Sequence, residues 1–208
     1  VLWASQTGTA EEFAATAASL AAQVSSIRIA IGIDAENGAA LSYEQLIAGA
    51  SDDVPATSPL PHEMAYLMYT SGTTGGAKGV MISHAAMAEA TRMLSHESGI
   101  QADDKALIVM PLFHLGGKIE QMNFSLMGAS VVLKQVFDPE DILKTIHDQK
   151  VSAAHFAPLM IQTMLDVLDK KSYDVSTLRC VHYASAPMPV PLLRRALARM
   201  GPIFVQVY

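Results

Sequence analysis

Residues Tyr69 to Val80 read YTSGTTGGAKGV, a run built for holding an anion. Gly72, Gly75, Gly76 and Gly79 permit positive φ and close backbone approach. Consecutive N–H groups in such a loop form a concavity for phosphate oxygens. Thr70, Ser71, Thr73 and Thr74 add hydroxyl donors, and Lys78 adds a point charge. The run is close to a Walker loop but departs from it on both sides of the lysine, where Ala77 and Gly79 stand. The missing hydroxyl after the lysine is the one that ligates Mg²⁺, which argues against ordinary P-loop hydrolysis. A plain flexible turn would leave the hydroxyls and the lysine unexplained.

Positioning such a loop needs a framework, and the chain alternates strand-like and helix-like segments. MAYLMYT (Met64 to Thr70) reads as a strand that feeds the loop, and Ser83 can cap a helix beginning SHAAMAEATRML. Further strands are read at IRIAIGI (27–33), KALIVM (105–110), ASVVLK (129–134), VSAAHF (151–156), LRCVHYAS (178–185) and IFVQV (203–207). Helices are read at AEEFAATAASLAAQ, GGKIEQMNFSLMG, DPEDILKTIHDQK, PLMIQTMLDVLDK and PVPLLRRALARM. Asp138 and Pro139 make a strong helix start, and Gly201 closes the last helix. Strands separated by helices predict an α/β fold with layered parallel or mixed sheets flanked by helices, and sites at the strands' carboxyl ends. Residues 50–63, with three prolines and no periodicity, predict a connector between subdomains.

Composition narrows the partners. Half of the 208 residues are hydrophobic and 16% are charged, which suits a sizeable core. A net charge of -6 and the lack of a basic run exclude a nucleic-acid surface driven by Lys and Arg. No 18-residue apolar span predicts a transmembrane segment. The single cysteine, Cys180, fits a buried thiol in the cytoplasm. The twelve methionines sit at core spacing. His62, His84, His96 and His147 read as solvated, and His155 and His182 as satisfied polar residues within strands. No Cys/His cluster has metal spacing, so no metal site is assigned.

The loop resembles the signature of the adenylate-forming enzymes, which include acyl-CoA synthetases, luciferases and the adenylation domains of peptide synthetases. Ala77 stands where that family has proline. Three later segments resemble the family in order and spacing. MPLFHLGG (Met110 to Gly117) is similar to its aromatic-and-histidine gate. HYASAPMP (His182 to Pro189) is similar to its nucleotide segment, with Ala184 and Ser185 where two glycines are usual. VQVY (Val205 to Tyr208) is similar to the start of its next motif. The likeness spans about residues 27–208 and extends more weakly over 1–26.

The resemblance implies that residues 1–208 are part of an AMP-binding N-terminal domain. It implies activation of a carboxylic acid by ATP with Mg²⁺ to an acyl-adenylate, then transfer to the thiol of coenzyme A. Thr70, Ser71, Gly72, Thr73, Thr74, Gly75 and Lys78 would hold the phosphates, with Lys78 and His114 as the catalytic groups. Ser185, Ala186, Pro187 and Tyr208 would hold adenine. Leu115, Gly116, Phe156 and Ala184 would line the acyl pocket. With no acidic residue at pocket positions, a fatty or aryl acid is implied over an amino acid, and the phrasing is most similar to fatty-acid ligases.

Two other readings stay open. VLWASQTGTAEEFA (Val1 to Ala14) is similar to the FMN-phosphate loop of flavodoxin-like modules, with Ser5, Thr7, Gly8 and Thr9 at a helix start. A nucleotide-binding but non-catalytic protein is the third. Both ends read as cut within a domain, and the 208 residues alone are expected not to adenylate.

Overall fold

The computed structural model describes residues 10–32, 41–70 and 75–207. The chain divides into two compact units, Val1–Ser58 and Pro59–Tyr208. Residues 50–63 form neither helix nor strand.

In the first unit, α1 (Ala10–Gln23) covers the alanine-rich run as read. The strand expected over 27–33 is shorter: regular pairing is confined, among the described residues, to β1 (Ile31–Gly32) against β2 (Leu41–Ser42), in parallel. A β-branched run favours extended backbone, but a strand exists only where a neighbour accepts and donates. A short helix not anticipated in the sequence, α2 (Tyr43–Ala48), starts where the Ser42 hydroxyl accepts the N–H of Gln45.

The second unit opens with an antiparallel hairpin of β3 (Met64–Thr70) and β4 (Lys78–Ser83). This corrects the expectation of a strand running through a loop directly into a helix. Gly79 makes the second strand possible opposite Tyr69: a Cβ there would lie 3.0 Å from Leu67 Cδ1 and 3.4 Å from the Tyr69 ring. Helix α3 (His84–Glu97) follows, capped by the Ser83 hydroxyl on the N–H of Ala86.

The rest is a five-stranded parallel sheet in the order β6-β5-β7-β8-β9. Its strands are β5 (Lys105–Ile108), β6 (Ser130–Leu133), β7 (Ala153–Phe156), β8 (Cys180–Tyr183) and β9 (Phe204–Gln206). They are joined by α4 (Leu115–Leu126), α5 (Pro139–Gln149), α6 (Pro158–Leu168) and α7 (Val190–Met200). Each strand is trimmed by two to four residues from its sequence reading, because the flanking residues turn away from the ladder.

Alternation along the strands sends neighbouring side chains to opposite faces. Ala154, Phe156, Val181 and Tyr183 pack against Ile142, Leu143 and Ile146 of α5 and Ile161, Met164 and Leu165 of α6. Ala153 and Cys180 face the other way, with Ala106, Ile100 and Phe124 of α4. The result is helix, sheet, helix in three layers. The chain leaves β5 toward the β6 edge and returns to lay β7 on the other side of β5. The carboxyl ends of β5 and β7 therefore flank the topological switch point, where an open parallel sheet leaves a crevice.

At the opposite, amino edge, Asp104 fastens three strands. Its carboxylate accepts from the Gln101 N–H at 2.7 Å, the Ser152 hydroxyl at 2.7 Å and Arg179 Nε at 2.8 Å. Burial raises the Asp104 pKa, but these bonds prevail and hold it below the usual carboxylate range.

Candidate functional site

The glycine-rich loop joins the two hairpin strands. Thr70 ends β3 and pairs directly with Lys78, which begins β4, so the two candidate phosphate ligands stand side by side at the loop's mouth. Both are exposed, as is Gly75. Ser71, Gly72, Thr73 and Thr74 lie outside the described residues. Since β4 follows the loop, the helix N-terminus that backs a Walker loop is replaced here by a strand. Charge for an anion must come from Lys78 and backbone N–H groups rather than from a helix dipole. The hairpin rests on α4: the Tyr66 hydroxyl donates to Met122 Sδ at 3.5 Å, and the Lys118 ammonium lies 5.8 Å from the Tyr66 ring centre.

His114 is the N-cap of α4, just beyond the carboxyl end of β5. Its Nδ1 accepts the Gly116 N–H at 3.2 Å. A neutral imidazole that accepts at Nδ1 carries its hydrogen on Nε2, so His114 presents a donor outward beside a helix N-terminus. Gly117 locks this arrangement. A Cβ there would lie 2.5 Å from both the Met110 and Pro111 carbonyl oxygens, so only glycine lets the helix start this close to the strand's end.

Gly116 has a different role. A Cβ there would lie 3.5 Å from His114 Nδ1 and 4.0 Å from His155 Cε1, in ordinary van der Waals contact with two imidazoles. Leu115 beside it is 41% exposed.

Ala184, Ser185, Ala186 and Pro187 follow β8 at the same carboxyl edge. Ser185 adopts φ 72°, a left-handed conformation that glycine takes without strain. The N–H of Val207 donates to the Tyr183 carbonyl at 3.0 Å, holding the chain beside β8; Tyr208 lies outside the described residues.

Thus His114, Leu115, Gly116 and Ala184–Pro187 share one edge of the sheet. Phe156 does not join them. It is 1% exposed and packs on the α5–α6 face, opposite to His155.

That face with His155 holds a cluster the sequence reading missed. Glu120, on the sheet-facing side of α4, receives His155 Nδ1–H at 3.2 Å and His182 Nδ1–H at 2.8 Å, both on Oε1. His155 and His182 are paired in register across β7 and β8, with rings 6.3 Å apart and perpendicular. His182 Nε2 is 2.9 Å from the Ser98 hydroxyl. Burial alone would push Glu120 up, but the two imidazoles hold it well down, to about 2. Burial likewise opposes a charged His182, yet hydrogen bonds with Cys180 and Glu120 raise it to about 10. A carboxylate and an imidazolium are thus buried together. His182 fulfils the expectation of a satisfied polar residue. His155 corrects it: its Nε2 is buried without a partner. The available signal was two strand histidines at matching depth in consecutive βα units, with an acid on the intervening face of an earlier helix.

Among the described residues no group of three His, Cys, Asp or Glu side chains is arranged to hold a metal ion, and no helix is long and apolar enough to cross a membrane.

Residues 4–208 match the family described as AMP-binding enzyme. The chain is 34% identical over 182 residues to an indoleacetate–CoA ligase of Aromatoleum aromaticum, covering 86% of this chain and 35% of that protein. It is 33% identical over 148 residues to a medium/long-chain-fatty-acid–CoA ligase of Mycobacterium tuberculosis, covering 71% and 26% respectively. Its fold is similar to the crystal structure of ATP-bound MatB from Rhodopseudomonas palustris, with a TM-score of 0.71, 25% identity and coverage of 78% and 32%. The chain spans a quarter to about a third of the length of these relatives, 35%, 26% and 32% respectively. The family match takes in residues 4–14, most of the segment that also resembles an FMN loop.

Proposed function

The chain belongs to the AMP-binding enzyme family, and on that premise we propose that it supplies the ATP- and acid-binding part of an acid–thiol ligase. The carrying observation is the convergence at the carboxyl edge of one parallel sheet. A histidine donor follows β5 at the switch point, and a strained nucleotide-type turn follows β8. The hairpin loop with Thr70 and Lys78 belongs to the same compact unit.

In this reading Lys78, Thr70 and the loop's N–H groups, those of residues 71–75 included, neutralise the β- and γ-phosphates and the departing pyrophosphate. Magnesium enters as part of the MgATP substrate. The outward Nε2–H of His114 donates to the attacking carboxylate or the α-phosphate and orients the in-line approach. Ala184 to Pro187 pass the adenine ring by backbone contact, and Tyr208 stacks on it. The acid passes Leu115 and Gly116, and the acyl-adenylate is transferred to coenzyme A. The relatives' names cover aryl and fatty acids, so the supported class is a carboxylic acid, with a fatty acid as one member. A cytoplasmic location is part of the same proposal and rests on the unpaired, buried Cys180.

The test is calorimetric titration of ATP, followed by acid-dependent ATP–pyrophosphate exchange in the complete gene product containing these residues. Binding that weakens about tenfold or more in Lys78→Ala, with exchange that needs an acid, is expected. ATP binding without exchange for any acid across aryl and fatty panels would make it a nucleotide-binding protein without catalysis. A bound flavin absorbing blue light would favour the FMN reading.

A further inference from the structure

Helix α4, with His114 as its N-cap, is anchored to β5, to α3 and to the strands β7 and β8. At its first turn Gly117 seats it on the end of β5, with no room for a Cβ under the Met110 and Pro111 carbonyls. On its α3 side the Asn123 carbonyl accepts the Ser95 hydroxyl at 3.2 Å. Toward β7 and β8, the hydrogen bonds from α4 among the described residues all end on one atom, Glu120 Oε1. Phe124, on the same side, shares an apolar cluster with Ala153 and Cys180. Apolar contact is non-directional, so it holds the layers together without fixing their register.

The polar choice is informative. Glu120, His155 and His182 are 5%, 6% and 3% exposed. Taking a carboxylate and two imidazoles out of water is costly, and apolar side chains of similar volume hold a helix on a sheet at least as firmly. What bonds of 2.8 and 3.2 Å to one oxygen add is a single allowed position. His182 is itself fixed from both sides, since its Nε2 lies 2.9 Å from the Ser98 hydroxyl at the end of α3. Glu120 stands six residues beyond His114, about 9 Å along the helix. Ser185 stands three residues beyond His182, about 10 Å of extended chain. One carboxylate therefore joins the helix that aims the His114 donor to the strand that ends in the nucleotide-type turn.

We propose that Glu120 is a positioning residue for adenylation, setting the reach of the His114 donor toward the α-phosphate through its paired bonds to His155 and His182. This rests on the acid-activating reading above and deepens it. Glu120 touches no reactant in that reading. It acts by placement: in-line displacement tolerates little error in an orienting donor, and a shift of about 1 Å costs on the order of a hundredfold in rate. ATP itself is held by the hairpin loop and the turn after β8, neither of which contains Glu120. Loss of the tie therefore lowers kcat and leaves ATP affinity in place.

The test uses the complete gene product with Glu120→Gln, which keeps the shape and a neutral acceptor, and Glu120→Leu, which removes both bonds. Each is also placed in the His114→Asn background. Acid-dependent ATP–pyrophosphate exchange is followed with phenylacetate, benzoate, octanoate and palmitate, and ATP affinity by calorimetry. Glu120→Leu is expected to lower kcat about tenfold or more, and Glu120→Gln less, with the Kd for ATP unchanged within about twofold. In His114→Asn, where the aimed donor is already gone, the same changes are expected to alter kcat by less than about twofold, because residues acting through one group are not additive. Equal effects in the two backgrounds mark a purely structural role and overturn the proposal, as does a loss of ATP affinity that matches the loss of kcat. Where Glu120→Leu does not fold, Glu120→Gln carries the same cycle. Selective ¹⁵N labelling of histidine gives a readout independent of turnover: saturating ATP should shift the His114 ring in the wild type and shift it less in Glu120→Gln. No shift in the wild type, or an equal shift in both proteins, overturns the proposal. If none of the acids supports exchange, it is the acid-activating reading that fails, and the ring shift alone decides whether Glu120 positions His114.

Discussion

Nδ1 of His114 accepts the backbone N–H of Gly116 at 3.2 Å, so one ring both starts a helix and aims its other nitrogen outward. The two roles are separable. Asn is a good N-cap and should keep stability within about 0.5 kcal/mol, while its shorter amide leaves the remaining donor well short of the imidazole Nε2 position. His114→Asn should then lower acid adenylation roughly a hundredfold with little change in Tm. His114→Ala should lower adenylation similarly and also destabilise by about 1 kcal/mol. Thermal unfolding beside exchange kinetics checks both.

Gly117 should tolerate no side chain. The 2.5 Å approach to two carbonyl oxygens means that Gly117→Ala must push α4 away from the end of β5. Destabilisation of about 1–3 kcal/mol is expected, read from denaturant midpoints. Gly116→Ala, whose new methyl meets only ordinary contacts, should be close to neutral for stability. Equal effects at the two glycines would contradict the geometry.

Ser185 stands in left-handed backbone at φ 72°. Replacing it with glycine removes strain of about 1 kcal/mol, partly offset by greater freedom of the unfolded chain. Ser185→Gly should raise Tm slightly or leave it level, whereas Ser185→Val should lower it clearly. A drop in Tm for the glycine variant would count against the turn described.

The buried Glu120–His182 pair predicts a stability window in pH. His182 is raised from 6.5 to about 10, so its contribution is complete below pH 6.5 and fades as pH climbs toward 10. Glu120 is lowered from 4.5 to about 2, so its contribution is complete above pH 4.5 and fades as pH falls toward 2. The stability gap between wild type and Glu120→Gln should therefore be widest from about pH 4.5 to 6.5 and narrow on the alkaline side. Urea unfolding at stepped pH measures it. A gap independent of pH from 5 to 9 would show that the charges are not buried as a pair.

Asp104 joins the amino ends of β5, β7 and β8 at the edge away from the site. Asp104→Ala strands the bonds of Ser152 and Arg179 and should cost about 2–4 kcal/mol. ATP affinity of the folded protein should stay within twofold, since no candidate ligand touches this network. A large loss of affinity at unchanged stability would place Asp104 in the binding apparatus.

Much of the framework was legible because local signals agreed with the global fold. Asp138 with Pro139 marked the start of α5, Ser83 the start of α3, and Gly201, at φ 86°, the end of α7. The hairpin was not legible. Lys78–Ser83 has a glycine at its second position, and only pairing with β3, in which Tyr69 lies opposite Gly79, turns it into a strand. Phe156 shows the same limit at the site. Position in the motif suggested a pocket wall, whereas the two-residue period of β7 sends it into the α5–α6 core and gives the other face to His155.

The sequence by itself determined the chemistry on offer: a loop of hydroxyls, glycines and Lys78, a histidine before two glycines, and an alternation of strands and helices that commits the chain to a parallel sheet. Those are properties of residue type and short spacing, which local backbone preference expresses directly. Tertiary structure alone decided which groups meet. His155 and His182 are 35 and 62 residues from Glu120, and only the order β5-β7-β8, with α4 laid across it, brings two imidazoles onto one carboxylate. Parallel pairing fixed the depth of each ring, and burial then tied the charge of Glu120 to that of His182.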